Sequence, residues 1–232
     1  MFFLFAQSLL ANEFAYNLYG LNTKFMEINF FRDNKNTILV ESRSTGLLDI
    51  FVKAQGEGSL IKEKNKTIYT FQYKKKKKER KSIIIFNKGK VIKNIAKPPR
   101  ILKTNIIPIS KDDLVDVRDP LSAVYDLFFN HYGNLNCNQK IKIFDGSEVF
   151  FLQLSLIKNN PKQIKSTKLI YKGSMVKCRL NYRVISGHLK KKEKKLNKMY
   201  VDIYFGRSNN NYIPYFLTNK TKLVTLKMFL KN

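Results

Sequence analysis

The stretch Asp119–Phe129, DPLSAVYDLFF, is the clearest helix signal in a chain that otherwise alternates like β-strands. The side chain of Asp119 can cap the helix by accepting a hydrogen bond from a free N–H of the first turn. Pro120 suits the first helical position, where its missing N–H costs nothing. The apolar positions recur at helical spacing: Leu121, Val124, Tyr125 and Phe128. One face of this helix is therefore apolar and needs a partner to cover it.

The segments on both sides of the helix alternate between apolar and polar residues, which is typical of half-buried strands. Asp145-Gly146 predicts a two-residue hairpin turn, and the lysine-rich stretch 190–198 is expected to make another turn. Gly56 and Gly58 suggest a bulge or a strand that approaches another strand closely. So many short strands favour an antiparallel meander that curves strongly, because flat open edges invite aggregation. We expect a mainly β fold, a lipocalin-like or lipoprotein-carrier-like half-barrel, with the 119–129 helix packed on its concave side.

The first eleven residues, MFFLFAQSLLA, form an apolar run that is too short to cross a bilayer as a helix. They resemble the hydrophobic region of a secretory signal with Ala11 as the cleavage position, although no basic residue precedes them. The alternative is a buried first strand in a cytoplasmic protein. We interpret residues 1–11 as a signal-peptide remnant and residues 12–232 as a single β-rich domain, exported to the periplasm or cell envelope.

The formal charge of +27 suggests an anionic partner. Most of the basic residues are Lys, whereas bidentate phosphate recognition favours Arg, so we do not expect nucleic acid. An AT-rich genome would also enrich Lys, Asn, Ile and Phe together without any selection for binding. The candidate residues for an anionic surface lie in two runs: Lys74, Lys75, Lys76, Lys77 and Lys78, then Lys190, Lys191 and Lys192. The alternative interpretation is that these lysines only protect exposed loops from aggregation.

No enzyme motif is present: the chain has no P-loop, no G-x-S-x-G and no G-x-G-x-x-G. His131 and His188 each lie at the end of a predicted element, where a structural role is commoner than catalysis. The two cysteines, Cys137 and Cys178, have no His neighbour and no C-x-x-C partner, which argues against a metal site. We therefore predict no catalytic residue, no metal and no cofactor. The cysteines form a disulfide if the chain is exported, and are two buried thiols if it is cytosolic.

Several segments together carry a family resemblance. They are, in chain order, Ser44–Phe51 (STGLLDIF), Ala54–Gly58 (AQGEG), Asp119–Phe129, Cys137, Ile143–Leu154 (IFDGSEVFFLQL), Cys178–His188 (CRLNYRVISGH), Val201–Gly206 (VDIYFG) and Tyr212–Leu230. This order resembles the bacterial domain-of-unknown-function family 3108 over essentially the whole chain after the leader. The resemblance implies an exported protein of a Gram-negative bacterium with no assigned activity. It also implies a disulfide between Cys137 and Cys178.

An aromatic-rich sheet beside one amphipathic helix suits an apolar pocket. Our leading hypothesis is a non-enzymatic envelope or periplasmic protein whose half-barrel binds an apolar or amphipathic ligand such as lipid. The candidate lining residues are Leu121, Tyr125, Phe128, Phe150, Leu152, Tyr182 and Tyr215. The alternative is that these side chains simply fill the core. Two other functions remain open: binding of an anionic polymer or surface through the Lys-rich loops, and a structural or interaction module without a small ligand.

Overall fold

The structure is a computed structural model that describes residues 12–33, 37–45, 54–75, 78–99, 104–162, 164, 166, 168–221 and 223–231. The predicted leader, residues 1–11, lies outside the described residues, as does most of the STGLLDIF segment. The strands are β1 (Asn12–Gly20), β2 (Thr23–Arg32), β3 (Ile38–Ser44), β4 (Ala54–Glu63), β5 (Lys66–Lys75), β6 (Lys78–Asn87), β7 (Lys90–Lys97), β8 (Gln139–Phe144), β9 (Val149–Lys162), β10 (Met175–Ser186), β11 (Tyr200–Ser208), β12 (Asn211–Lys220) and β13 (Thr225–Leu230). The α-helices are α1 (Pro120–Phe129) and α2 (Lys190–Leu196), and a 3-10 turn covers Asp112–Leu114.

Helix α1 begins as its sequence predicts. The Oδ1 atom of Asp119 accepts a hydrogen bond of 2.8 Å from the N–H of Ser122, and Pro120 occupies the first turn. The helix separates two antiparallel meanders, β1–β7 and β8–β13, which join because β1 pairs with β13. The result is one thirteen-stranded antiparallel sheet in the order β7-β6-β5-β4-β3-β2-β1-β13-β12-β11-β10-β9-β8. The predicted mainly β, antiparallel fold is confirmed.

The sheet curves around α1, because the helix contacts strands that are far apart in the sheet order, namely β3, β4, β8 and β12. Gly58 marks the closest approach on β4: a Cβ atom there would lie 3.3 Å from Cδ1 of Leu121. The sequence predicts a bulge or a close strand–strand approach here, but the ladders of β4 run without a bulge and the close approach at Gly58 is to the helix. The apolar face of α1 fills the concave side of the sheet, as predicted.

The two edge strands, β7 and β8, share no ladder within the described residues, and the segment just before α1 lies between them. The N–H of Val117 donates to the carbonyl oxygen of Gly89 at 2.9 Å, on the β6–β7 turn. Arg118 exchanges hydrogen bonds of 2.9 and 3.0 Å with Lys142 and Phe144 of β8. The sheet is therefore open as a ladder, but its seam is bridged by the chain that leads into the helix.

A disulfide joins Cys137, in the loop after α1, to Cys178 on β10, with a Cα–Cα distance of 5.9 Å. Cys178 is fully buried, as the alternation along β10 predicts. The bond ties the loop after α1 to the inner face of the sheet. The predicted disulfide is confirmed.

Two local predictions were wrong. The stretch 190–198 is mostly the short helix α2 rather than a turn, because Lys, Glu and Leu are all good helix formers. The β8–β9 connection has four residues, since Phe144 pairs directly with Val149. Its Asp145 side chain accepts hydrogen bonds of 2.8 Å from the N–H groups of Ser147 and Glu148, and these bonds stabilise the longer loop.

Candidate ligand cavity

A cavity of about 400 Å³ lies between α1 and the inner face of the sheet. Its ceiling is Phe128 of α1, and its walls come from β1, β9, β10, β11, β12 and β13. The lining residues are Leu18, Phe128, Leu152, Leu180, Tyr182, Met199, Tyr200, Val201, Leu217, Thr218, Asn219, Leu226 and Met228. All but two of these, Thr218 and Asn219, are aliphatic or aromatic.

The strand register explains why these residues meet. Met228 of β13 pairs with Leu18 of β1 on one side and with Leu217 of β12 on the other. Paired residues of antiparallel strands point to the same face, so the three side chains form one continuous apolar row. Leu180 and Val201 form the corresponding pair between β10 and β11. The cavity wall is therefore a consequence of the alternation that also builds the core.

The buried side chain of His188 supports the cavity wall at Tyr182. The hydroxyl of Tyr182 lies 2.5 Å from Nε2 of His188, and Oε2 of Glu148 lies 3.1 Å from the same nitrogen. Nδ1 of His188 lies 2.9 Å from the carbonyl oxygen of Ser186, to which an N–H at Nδ1 can donate. Burial, and then the nearby Glu148 carboxylate, raise the pKa of Tyr182, so its phenol stays neutral. His188 thus holds the Tyr182 ring in place from behind the wall.

The other histidine, His131, is buried at the end of α1. Its Nε2 lies 2.8 Å from the carbonyl oxygen of Leu127, and its ring packs edge-on against Phe205 with centroids 5.2 Å apart. Burial lowers the pKa of His131, which keeps the ring neutral despite the opposing effect of the Leu127 hydrogen bond. Both histidines therefore make packing and hydrogen-bond contacts inside the protein.

The predicted lining residues divide into two groups. Phe128, Leu152 and Tyr182 line the cavity. Phe150 is adjacent to it, because its ring stacks on Tyr182 with centroids 4.5 Å apart. The remaining three pack elsewhere.

Leu121 packs on Gly58 of β4. Tyr125 lies under the guanidinium of Arg32, which is 4.5 Å from its ring centroid. Tyr215 stacks on Tyr171 at 4.4 Å. These three side chains are part of the packed structure around the helix and strands rather than of the cavity.

Sequence reasoning missed most of the wall on β1 and β13, notably Leu18, Leu226 and Met228. The alternation of Leu226 and Met228 predicts the strand. It does not predict the pairing of β1 with β13, which joins the first and last strands of the described chain. Met199 lies at the end of the lysine-rich stretch, for which the sequence predicts a turn and not a cavity wall.

The cavity opens toward one end of the sheet, which we call the mouth end. Among the described residues it carries the β1–β2, β5–β6, β8–β9, β10–β11 and β12–β13 connections, which share an end because adjacent strands are antiparallel and β1 pairs antiparallel with β13. Met199, just before β11, lines the cavity and is 46% exposed. The backbone carbonyl of Met199 accepts a 3.2 Å hydrogen bond from the N–H of Tyr182, which fixes this segment to the wall.

The predicted anionic-surface lysines lie at this same end. Lys74 and Lys75 end β5 and Lys78 begins β6, while Lys190, Lys191 and Lys192 form the first turn of α2. All six of these side chains are exposed. Lys76 and Lys77 lie outside the described residues. The structure thus places the two candidate lysine runs at the end of the sheet where the cavity opens.

Within the described parts of the chain, no group of three His, Cys, Asp or Glu side chains is arranged to hold a metal ion. None of the described helices has the length and apolar character needed to cross a bilayer.

No protein-family model matches the chain, and no curated protein does either. The resemblance to family 3108 therefore stays a hypothesis. Among solved structures, the chain is similar to the crystal structure, at 1.75 Å resolution, of a DUF1329 family protein from Desulfovibrio piger ATCC 29098. The two share 9% sequence identity over 96% of this chain and 83% of that chain, with a TM-score of 0.24. A TM-score this low carries no argument about the function of either protein.

Proposed function

We propose that the protein is a non-enzymatic binder of an apolar or amphipathic ligand of lipid type, exported to the periplasm or cell envelope. The observation that carries this proposal is the cavity of about 400 Å³ between Phe128 and the inner face of β1 and β9–β13. Small-molecule sites are concave and mostly apolar, and their volumes start at roughly 300 Å³. The cavity has this size and this character.

The cavity is also too large to be an ordinary packing defect. An empty, enclosed apolar cavity of that volume costs on the order of 10 kcal/mol, which is comparable to the whole stability of a domain. This cavity instead opens at Met199, so solvent or a ligand can enter it. A hydrocarbon chain would remove the apolar walls from water, at roughly 25 cal/mol per Å² of surface buried. Apolar walls that meet an opening therefore favour a chain-like apolar ligand.

The ligand proposal is tested by uptake of a fluorescent fatty acid and by native mass spectrometry of the purified protein. Leu217→Trp places a larger side chain in the wall, and we expect it to weaken uptake at least about tenfold. Ile157→Trp is the matched control, because Ile157 is 45% exposed and does not line the cavity. The proposal fails if the unmodified protein neither carries nor takes up a lipid, or if both Trp variants bind equally well.

Export is proposed on two grounds: the apolar leader in the sequence and the Cys137–Cys178 disulfide, which is commoner in oxidising compartments. The resemblance to family 3108 points the same way. Cell fractionation followed by sequencing of the mature N-terminus tests this proposal. A chain that begins near Asn12 in the periplasm supports export, whereas an intact Met1 in the cytosol overturns it.

A second candidate function, binding of an anionic polymer through the lysine-rich loops, is favoured by the grouping of these loops at the mouth end. Polymer binding by Lys alone depends steeply on salt. A loss of heparin affinity that grows with the number of exposed lysines removed from α2 would support it. Binding that is unchanged by these substitutions would exclude it.

A further inference from the structure

We propose that the mouth end docks on an anionic lipid bilayer, with Leu21 and Leu223 inserted between the headgroups and the surrounding lysines paired with lipid phosphates. This proposal goes beyond ligand binding and rests on different residues. It begins from the exposed large apolar side chains of the described structure. Leu223 is 94% exposed and Leu21 is 81% exposed, and both lie at the mouth end.

Leu21 occupies the tip of the β1–β2 hairpin, in a conformation that disfavours it. Its φ angle is +50° and that of Asn22 is +64°, which is the left-handed region at both turn positions. Such turns prefer Asn, Asp or Gly, and a bulky residue there costs about 1–2 kcal/mol. A leucine that is both strained and exposed has no folding benefit at this position. Strain of this kind points to a role outside the fold.

Leu223 lies in the β12–β13 turn, which is held by a network around Thr221. The Thr221 hydroxyl oxygen accepts hydrogen bonds from the N–H groups of Leu223 and Val224, at 3.3 and 3.0 Å, and donates to the Val224 carbonyl at 2.7 Å. The N–H of Thr221 donates to the same carbonyl at 3.0 Å. These bonds fix the backbone at Leu223 and Val224, and the side chain of Leu223 is exposed to solvent.

The two tips and the cavity are neighbours in the sheet. Gly20, next to Leu21, pairs with Leu226, and Leu226 in turn pairs with Asn219. Leu226 and Asn219 both line the cavity. Met199 follows on the next connection and is also exposed. Three exposed apolar residues thus lie on three connections at the mouth end.

The charge around the tips matches an anionic surface. Within the described parts of segments 21–24, 189–199 and 218–227, every charged residue is a lysine except Glu193 of α2. Lys24 pairs with Glu27 on β2 at 2.7 Å. The exposed lysines of these segments are Lys190, Lys191, Lys192, Lys194, Lys195, Lys198, Lys220 and Lys227. Lysines near an anionic membrane each contribute attraction, and apolar side chains add insertion, so the two together give stable attachment.

A bilayer fits these features better than a polymer does. A nucleic acid or polysaccharide would be bound by the lysines but would leave Leu21 and Leu223 in water. A bilayer uses both, and it also places the opening of an apolar cavity against a supply of acyl chains. An anionic lipid surface is therefore the partner that these residues fit.

The test is co-sedimentation of the full chain with vesicles of phosphatidylcholine alone and of phosphatidylcholine with phosphatidylglycerol. We expect binding to the phosphatidylglycerol vesicles only. The double variant Leu21→Asn and Leu223→Ser should lower this binding at least about tenfold, because insertion of two leucines is lost. The matched control is Ile92→Ser with Tyr132→Ser, which removes two other exposed apolar side chains, of 51% and 78% exposure, and should change it little.

The proposal is overturned if the unmodified protein ignores phosphatidylglycerol vesicles, if it binds neutral vesicles equally well, or if the two double variants bind alike. Fatty-acid uptake in vesicle-free solution separates this proposal from the ligand proposal. The Leu21→Asn and Leu223→Ser variant should still take up the fatty acid, while Leu217→Trp should lose uptake and keep vesicle binding. Circular dichroism of each variant confirms that the sheet is intact.

Discussion

One alternation of apolar and polar residues builds the whole inner face of the sheet, but the two ends of that face are packed differently. At the end away from the mouth, Phe129 stacks on Phe14 with ring centroids 4.2 Å apart and packs against Tyr16 and Phe30. At the mouth end the corresponding face, at Leu18 and its neighbours, is only partly buried and encloses the cavity. The difference lies in what covers the strands: Phe129 and the disulfide loop close one end, and Phe128 is the only residue of α1 on the cavity. Coverage by the helix, rather than strand pattern, separates core from pocket.

The largest expected contrast between the two ends is in stability. Phe129→Ala should lower the free energy of unfolding by about 3–5 kcal/mol, because it leaves a cavity among stacked aromatic rings. Leu226→Ala at the mouth end should cost about 1 kcal/mol or less, since that side chain is already partly exposed. Equilibrium unfolding in urea measures both. Equal losses would mean that the mouth end is packed as tightly as the closed end.

The disulfide should have the next largest effect, because it fastens the loop that closes the core. Replacing both Cys137 and Cys178 by Ser opens a link across 41 residues of sequence. We expect a loss of about 2–4 kcal/mol in the free energy of unfolding. Adding a reductant to the unmodified protein should reproduce the loss and should not change the double Ser variant further. A reductant with no effect on the urea midpoint would show that the bond contributes nothing.

How far the sequence predicts this molecule can be seen in these same elements. Asp119 and Pro120 gave the start of α1, and alternation gave the strands on both sides of it, because these signals are local. Cys178 was correctly placed inward from the alternation alone. The curved, antiparallel character of the sheet followed from the number and shortness of the strands.

The candidate site was predicted less well, for a physical reason. Phe128, Leu152 and Tyr182 were found, but Leu121, Tyr125 and Tyr215 pack away from the cavity. An apolar side chain looks the same in the sequence whether it fills a core or lines a pocket. The distinction depends on the pairing of β1 with β13 and on where the helix ends, both of which are long-range features.

The cap of α1 gives a smaller effect that depends on pH. Burial raises the pKa of Asp119 above its ordinary value, and the hydrogen bond from Ser122 only partly offsets this. A carboxyl group whose pKa is higher in the folded than in the unfolded state favours folding when it is protonated. Its contribution to the free energy of unfolding is therefore present at low pH. That contribution is lost as the pH rises through the folded-state pKa.

Asp119→Asn should remove this dependence, because Asn caps helices as well as Asp does and carries no charge. At pH 7 the variant should therefore be at least as stable as the unmodified protein, and the gap should close as the pH falls below about 4. Asp119→Ala, which has no cap, should instead lose about 1 kcal/mol. Urea unfolding at several pH values measures these differences. If Asp119→Asn and Asp119→Ala lose the same free energy of unfolding, the carboxylate itself is needed.

The smallest expected change in stability is also the one that best separates folding from function at the mouth end. Leu21→Asn puts a residue that tolerates positive φ at the tip of the β1–β2 turn, so the free energy of unfolding should rise by about 1 kcal/mol. The same substitution should weaken attachment to phosphatidylglycerol vesicles. A residue kept for the fold would lose stability when it is replaced, whereas a residue kept for a partner gains stability and loses binding. If Leu21→Asn destabilises the protein in urea, the side chain serves the fold, and the contrast between the two ends is one of packing alone.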